Sequence, residues 1–175
     1  MKQIEALHLL RQNNILNNIV IEGAVFEFPD KYRSILKINK KNKEQIIINL
    51  IFKSSFIAGC ISFDSKISFI NCVFENVAMF HGAIFEKEVI FENCTFKSVS
   101  EFSSTYFLKK TTFIGCKFLE FLSFNAAQFD EELTFKKNYL NKGTDLLGNL
   151  NKPFKVLFKK EAFIEDNNGN LRINI

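Results

Sequence analysis

Phe69-Ile70-Asn71-Cys72-Val73-Phe74 and Phe91-Glu92-Asn93-Cys94-Thr95-Phe96 stand 22 residues apart and share one frame: Phe, two variable residues, Cys, one variable residue, Phe. The frame extends in both directions. Phe occurs at 63, 69, 74, 80, 85, 91, 96, 102, 107, 113, 118, 124, 129 and 135, with steps alternating 6 and 5, and Leu140 continues the series. Fourteen of the 22 Phe therefore lie on one grid with an 11-residue unit. An 11-residue period also suits a right-handed coiled coil. However, the intervening Thr, Ser, Val, Asn and Gly are poor helix formers, and a helical stripe needs apolar residues at i+3 or i+4.

A step of five or six residues fits one short strand and one corner. Four steps make a 22-residue coil, and coils stacked as parallel strands repeat at about 4.8 Å. Every 22nd residue then shares a column. Phe69, Phe91, Phe113 and Phe135 form one column, and Phe74, Phe96, Phe118 and Leu140 the next. Phe80, Phe102 and Phe124 form the third, and Phe85, Phe107 and Phe129 the fourth. Side chains alternate along a strand, so the residue two before each Phe also points inward. Those residues are mostly small, among them Cys72, Ala78, Ala83, Cys94, Thr105, Cys116 and Ala127. Tetrahedral zinc needs four convergent ligands. A straight column of Cys72, Cys94 and Cys116 does not converge, so these thiols read as small core residues, and no metal or cofactor is expected.

A bulky central residue preceded two places earlier by a small one resembles the pentapeptide-repeat family. The resemblance runs from about Ile47 to Leu140. It implies an all-β, right-handed, parallel quadrilateral β-helix. Two departures stand out: Phe replaces the usual Leu, and every second step carries an extra residue. Some relatives in that family bind DNA gyrase by resembling DNA, which requires a long acidic rod. Here the predicted rod has about four coils, roughly 20 Å at one strand spacing each. Residues 69–140 carry seven basic and nine acidic residues, a net charge of only −2.

The ends depart from the grid. Ile47, Leu50 and Phe52 fit the frame, whereas Ala58 takes a Phe position and Phe56 a small-residue position, an exchange that conserves volume. Ile21 to Phe26 reads as a first partial coil, out of register, followed by an excursion over 29–44 in which Tyr32 to Ile38 could form a strand. Residues 1–18 read as an N-terminal capping helix, with Asn13-Asn14 as its stop. The β-helix is placed at 19–140. Beyond it, 141–175 reads as a linker and a C-terminal β-hairpin, turning at Asp166-Asn167-Asn168-Gly169-Asn170. That hairpin is expected to cap the β-helix or to form a homodimer contact.

With 175 residues and 47% hydrophobic content, one domain with a substantial core is expected. The N-terminus has neither an apolar h-region nor a cleavage site, so a secretory signal is not expected. Ile46 to Phe52 is far short of the ~20 residues of a membrane span. A cytoplasmic protein with free thiols is the expectation, and abundant Lys, Asn, Ile and Phe suggest an AT-rich bacterial genome. Nucleotide-binding and hydrolase motifs are absent from the sequence. His81 is expected outside the tube, in one column with Ser103 and Asn125. An enzyme would need a pocket near His81 or Glu86, and a tube packed with Phe predicts none. The basic run containing Lys37, Lys40, Lys41 and Lys43 is a candidate surface contact, though few aromatics interleave it and nucleic acid is disfavoured. The reading is a non-catalytic protein–protein interaction module whose partner the sequence does not name.

Overall fold

The computed structural model describes residues 1–13, 15–21, 25–27, 44–149 and 155–173. Helix α1 (Gln3–Asn13) leads into short strands that turn successively onto four faces. Strands of successive coils pair in parallel, giving two seven-stranded and two five-stranded sheets. The register is the 22-residue one: Phe69 lies beside Phe91, Phe91 beside Phe113, and Phe113 beside Phe135. Phe74, Phe96, Phe118 and Leu140 are likewise aligned on the second face. Ala78, Ser100 and Leu122 align on the third face, and Phe85, Phe107 and Phe129 on the fourth.

The core is a set of four aromatic stacks. All fourteen Phe of the grid are at most 2% exposed. Rings in a column lie face to face with centroids 4.5 Å apart for Phe74–Phe96 and 4.9 Å for Phe69–Phe91. That distance is the strand spacing, so backbone pairing sets the stacking. Rings of adjacent columns meet edge to face, as in Phe80–Phe91 at 5.6 Å and 85°, an arrangement the ring quadrupole favours. The exchange at 56 and 58 does conserve volume: Phe56 aligns with Ala78, and its ring lies 5.1 Å from Phe80, over buried Ala58's column. Near the C-terminus Leu140 and Leu146 take Phe positions. There Phe135 leaves its stack, 5.8 Å from Phe113 and tilted by 52°.

The alternation of 5 and 6 has a backbone cause. Each five-residue step turns through one residue with positive φ, between 51° and 66°. One corner uses Asn49, Asn71, Asn93, Gly115, Lys137 and Asp166, and the opposite corner Cys60, Gly82, Ser104 and Ala126. The six-residue steps between described residues contain none. A left-handed residue turns the chain sharply, and the ordinary corner takes one residue more. Asn tolerates this conformation better than other non-Gly residues, and its side chains link coils: Asn71 donates to Asn49 Oδ1 at 3.1 Å, and Asn49 to Asn18 Oδ1 at 3.0 Å. At Gly115 a Cβ would come within 2.4 Å of Asn93 Oδ1.

Several boundaries differ from the sequence expectation. The capping helix stops at Asn13, where its stop signal lies, but the solenoid starts at Ile15, not at 19, because Ile15–Asn17 pairs with Ile46–Ile48. The partial coil exists, with Ile21 beside Phe52 and Phe26 beside Phe56. The strand expected at 32–38 lies outside the described residues. Among the described residues the C-terminal strands do not pair with one another as the expected hairpin. Leu157–Phe158 pairs in parallel with Gln128–Phe129, Ala162–Glu165 with Leu133–Lys136, and Asn168–Gly169 with Tyr139–Leu140. Asp166 and its Asn neighbours form another solenoid corner. The same left-handed tolerance that suits a hairpin turn serves here to reach the next face. Nor are residues 141–149 a linker: Thr144 bridges Leu122, and Leu146 is fully buried. Two faces thus carry seven strands each, a stack of roughly 30 Å at one strand spacing per coil.

Candidate functional site

The third face carries the strands Ala78–Met79, Ser100–Glu101 and Leu122–Ser123. Their outward residues form the column Met79, Glu101, Ser123, and the chain beyond Leu140 adds Asp145, another 22 residues on. The segment reaching Asn149 stands beside this column and walls a groove of about 620 Å³. Met79, Phe121, His81, Ser103, Asn125 and the two carboxylates line it. That volume is within the range of small-ligand pockets. The expectation of a tube without a cleft is corrected here. The Phe core is full, but an insertion outside the repeat builds a concavity on the surface.

The polar groups of the groove are ordered by the coil spacing. His81 Nδ1 and Ser103 Oγ are 2.7 Å apart, across adjacent coils. Asp145 is 97% buried, being 3% exposed, and its Oδ1 accepts the Phe124 N–H at 2.5 Å while Oδ2 accepts the Ser123 hydroxyl at 3.3 Å. Burial pushes the Asp145 carboxyl above the usual range, against those two hydrogen bonds, and the charge of Glu101 pushes it the same way. Asn125 Oδ1 is buried and meets no donor among the described residues.

A His–Ser contact invites a nucleophilic reading, which needs oriented N–H groups to hold a developing oxyanion. Here they are engaged: Ser104 N–H donates to Asn125 O, Gly82 N–H to Ser103 O, and Ser103 N–H to Glu101 Oε1. Glu86, the other candidate, is not in the groove, and it accepts the Ser62 hydroxyl at 2.5 Å elsewhere.

Within the core, Cys72, Cys94 and Cys116 are fully buried in one column. Their thiols donate to the carbonyls of Ile47, Phe69 and Phe91 at 3.3, 3.3 and 3.4 Å. Burial pushes the Cys94 thiol well up, the neighbouring thiols adding to the shift. Asn138 continues the column. It donates to Phe113 O at 3.0 Å and accepts the Cys116 N–H, and Asn167 repeats this pattern one coil later. The column therefore closes backbone groups between coils. Among the described residues, no cluster of three His, Cys, Asp or Glu could hold a metal ion.

Residues 59–105 match the family model for pentapeptide repeats, in nine copies. The chain carries pentapeptide repeats. Its stacked parallel coils have the architecture that the repeat requires. No curated protein matches the sequence. Pentapeptide-repeat solenoids are typically non-catalytic, in keeping with a Phe ladder that fills the interior. The basic run with Lys37, Lys40, Lys41 and Lys43 lies outside the described residues. No helix among the described residues is long and apolar enough to cross a membrane.

Glu88, Asp130, Glu131 and Glu132 make ion pairs with lysines of neighbouring coils. Lys66 lies between Glu44 and Glu88, Lys97 beside Glu75 and Lys110 beside Glu132. Lys159 meets Asp130 at 2.9 Å, and Lys160 meets Glu131. Sequence reasoning singled out His81 with its column mates Ser103 and Asn125, but missed Glu101 and Asp145. The available signal was the same 22-residue arithmetic applied from Met79 to Asp145, which the irregular spacing after Leu140 concealed.

Proposed function

We propose that this pentapeptide-repeat solenoid is a non-catalytic protein–protein interaction module whose contact surface is its C-terminal end, with a second copy of the chain as the occupant. One observation carries the reading: the two ends of the stack are finished differently. At the N-terminal end α1 covers the first coil, with Ala6 and Leu10 buried against Leu16 and Ile21. At the C-terminal end the last inward residues, Val156, Phe158, Ala162, Ile164 and Leu171, are only partly buried. Leu157 and Phe163 beside them are exposed. Among the described residues, the strands at this end are also the last of their sheets. An uncovered strand edge over apolar side chains is a template for pairing, and a self-complementary end gives a closed two-fold dimer.

A DNA-mimic role is less well supported, because carboxylates along the shaft alternate with lysines in ion pairs and leave no acidic stripe. Sedimentation velocity across a concentration series tests the proposal. The wild type is expected to approach twice the 20.3 kDa chain mass, and Ile164→Glu to remain monomeric with unchanged circular dichroism. A wild type that stays monomeric at all concentrations refutes it.

A further inference from the structure

The groove on the third face is a candidate ligand site separate from the C-terminal end. We propose that it binds a guanidinium or primary ammonium group carried on an apolar stem. Three observations support this. First, the groove holds two carboxylates, Glu101 and Asp145, and neither makes an ion pair among the described residues. Its lining includes no Lys or Arg, and His81 is engaged with Ser103. Second, Asn125 Oδ1 is a buried acceptor without a donor. A buried acceptor left open is costly, and a multi-donor cation would satisfy it while neutralising the carboxylates. Third, exposed Met79 and half-buried Phe121 give an apolar wall along which an alkyl stem can lie.

The wall formed by 145–149 follows from the insertion after Leu146. The groove runs along the outward column from Met79 to Asp145, and this segment walls its far side. An anionic guest would meet two carboxylates with no compensating Lys or Arg in the lining, so charge selects the cation.

Such a head group could be a free polyamine-type molecule or an arginine side chain of a protein. The experiment separates these sources. Spermidine, agmatine and the peptide acetyl-Gly-Arg-Gly-amide are titrated into the full chain, followed by nitrogen-15 chemical shifts. Saturable shifts at His81, Glu101, Ser103, Asn125 and Asp145 are expected. Tighter binding of spermidine or agmatine assigns a free amine, and tighter binding of the peptide assigns a partner side chain. Glu101→Gln should weaken binding by roughly tenfold, the loss of one charge-assisted contact. Asp145→Asn should weaken it in the same direction, and Glu92→Gln on the first face should not. No saturable shift with any probe at 10 mM overturns the proposal, as does equal weakening by Glu92→Gln, which would mark a diffuse charge effect. A monomeric result in the sedimentation experiment leaves this site untouched, and failure here leaves the pairing proposal untouched.

Discussion

The first and last coils of this solenoid add strands to the same two seven-stranded sheets but meet solvent in different ways. The first begins under α1, and its inward residues Leu16 and Ile21 are as buried as those in the middle of the stack. The last lacks such a cover among the described residues. It replaces the Phe ladder with Ile164 and Gly169, and keeps Phe158 stacked on Phe129 at 5.4 Å but only partly buried. The contrast shows that a repeat fixes what lies between coils and leaves the ends to be decided by other sequence. A helix finishes one end, and the other remains apolar and half-wet.

The largest effect that would sharpen this contrast lies between the ends. Phe102→Ala removes a ring stacked on Phe80 and edge-on to Phe91 and Phe113. It should cost about 3–5 kcal/mol in urea unfolding. Ile164→Ala, at the half-covered end, should cost about 1 kcal/mol, since less apolar surface leaves water there. Near-equal values would erase the distinction between middle and end.

At the covered end, Leu10→Ala should cost about 2–3 kcal/mol and should make the N-terminal end self-associate as well. A change below about 0.5 kcal/mol would show that α1 contributes little to closing that end.

Asp145 gives a prediction with a pH sign. Its carboxyl is raised in the folded state, so the folded chain holds the proton more tightly than the unfolded chain. The stability linked to that proton is fully present below the unfolded value of about 3.9 and is lost as pH rises through the folded value. Asp145→Asn removes this loss. Relative to wild type, the variant should therefore be more stable at pH 7 than at pH 4. Glu101 and His81 line the same groove and are retained in both proteins. A difference that is constant between the two pH values would contradict the assignment.

The smallest effect is expected in the inner column. Asn138 and Asn167 do at the C-terminal end what the Cys thiols do in the middle. Cys116→Asn should be tolerated to within about 1 kcal/mol, because the amide can reach Phe91 O as Asn138 reaches Phe113 O and the volumes are similar. A loss above about 3 kcal/mol would show that the two residue types are not interchangeable there.

The sequence made the middle of the molecule readable because stacking demands one residue type at one spacing. Every grid Phe from Phe63 to Phe135 lies in its expected column, although the Phe135 ring tilts out of its stack. Even the exchange of Phe56 and Ala58 follows from volume alone. The extra residue in alternate steps could be counted, but its cause is a backbone angle at Asn71, Asn93 and their column mates, which no side-chain pattern displays. The C-terminal coils were misread because the spacing between equivalent residues widens from 22 to 29, as from Phe135 to Ile164, and because Asp, Asn and Gly suit a hairpin turn and a solenoid corner equally. The groove was half legible. His81, Ser103 and Asn125 share a column by simple counting, whereas Asp145 joins them through a segment whose composition resembles a linker.

Hydrogen exchange measured at several protein concentrations tests the difference between the ends most directly. Amides of Leu157–Phe158, Ala162–Glu165 and Asn168–Gly169 should gain protection as concentration rises from micromolar to hundreds of micromolar, while those of α1 stay constant. Protection at the C-terminal strands that does not change with concentration, or a change confined to α1, would contradict the account.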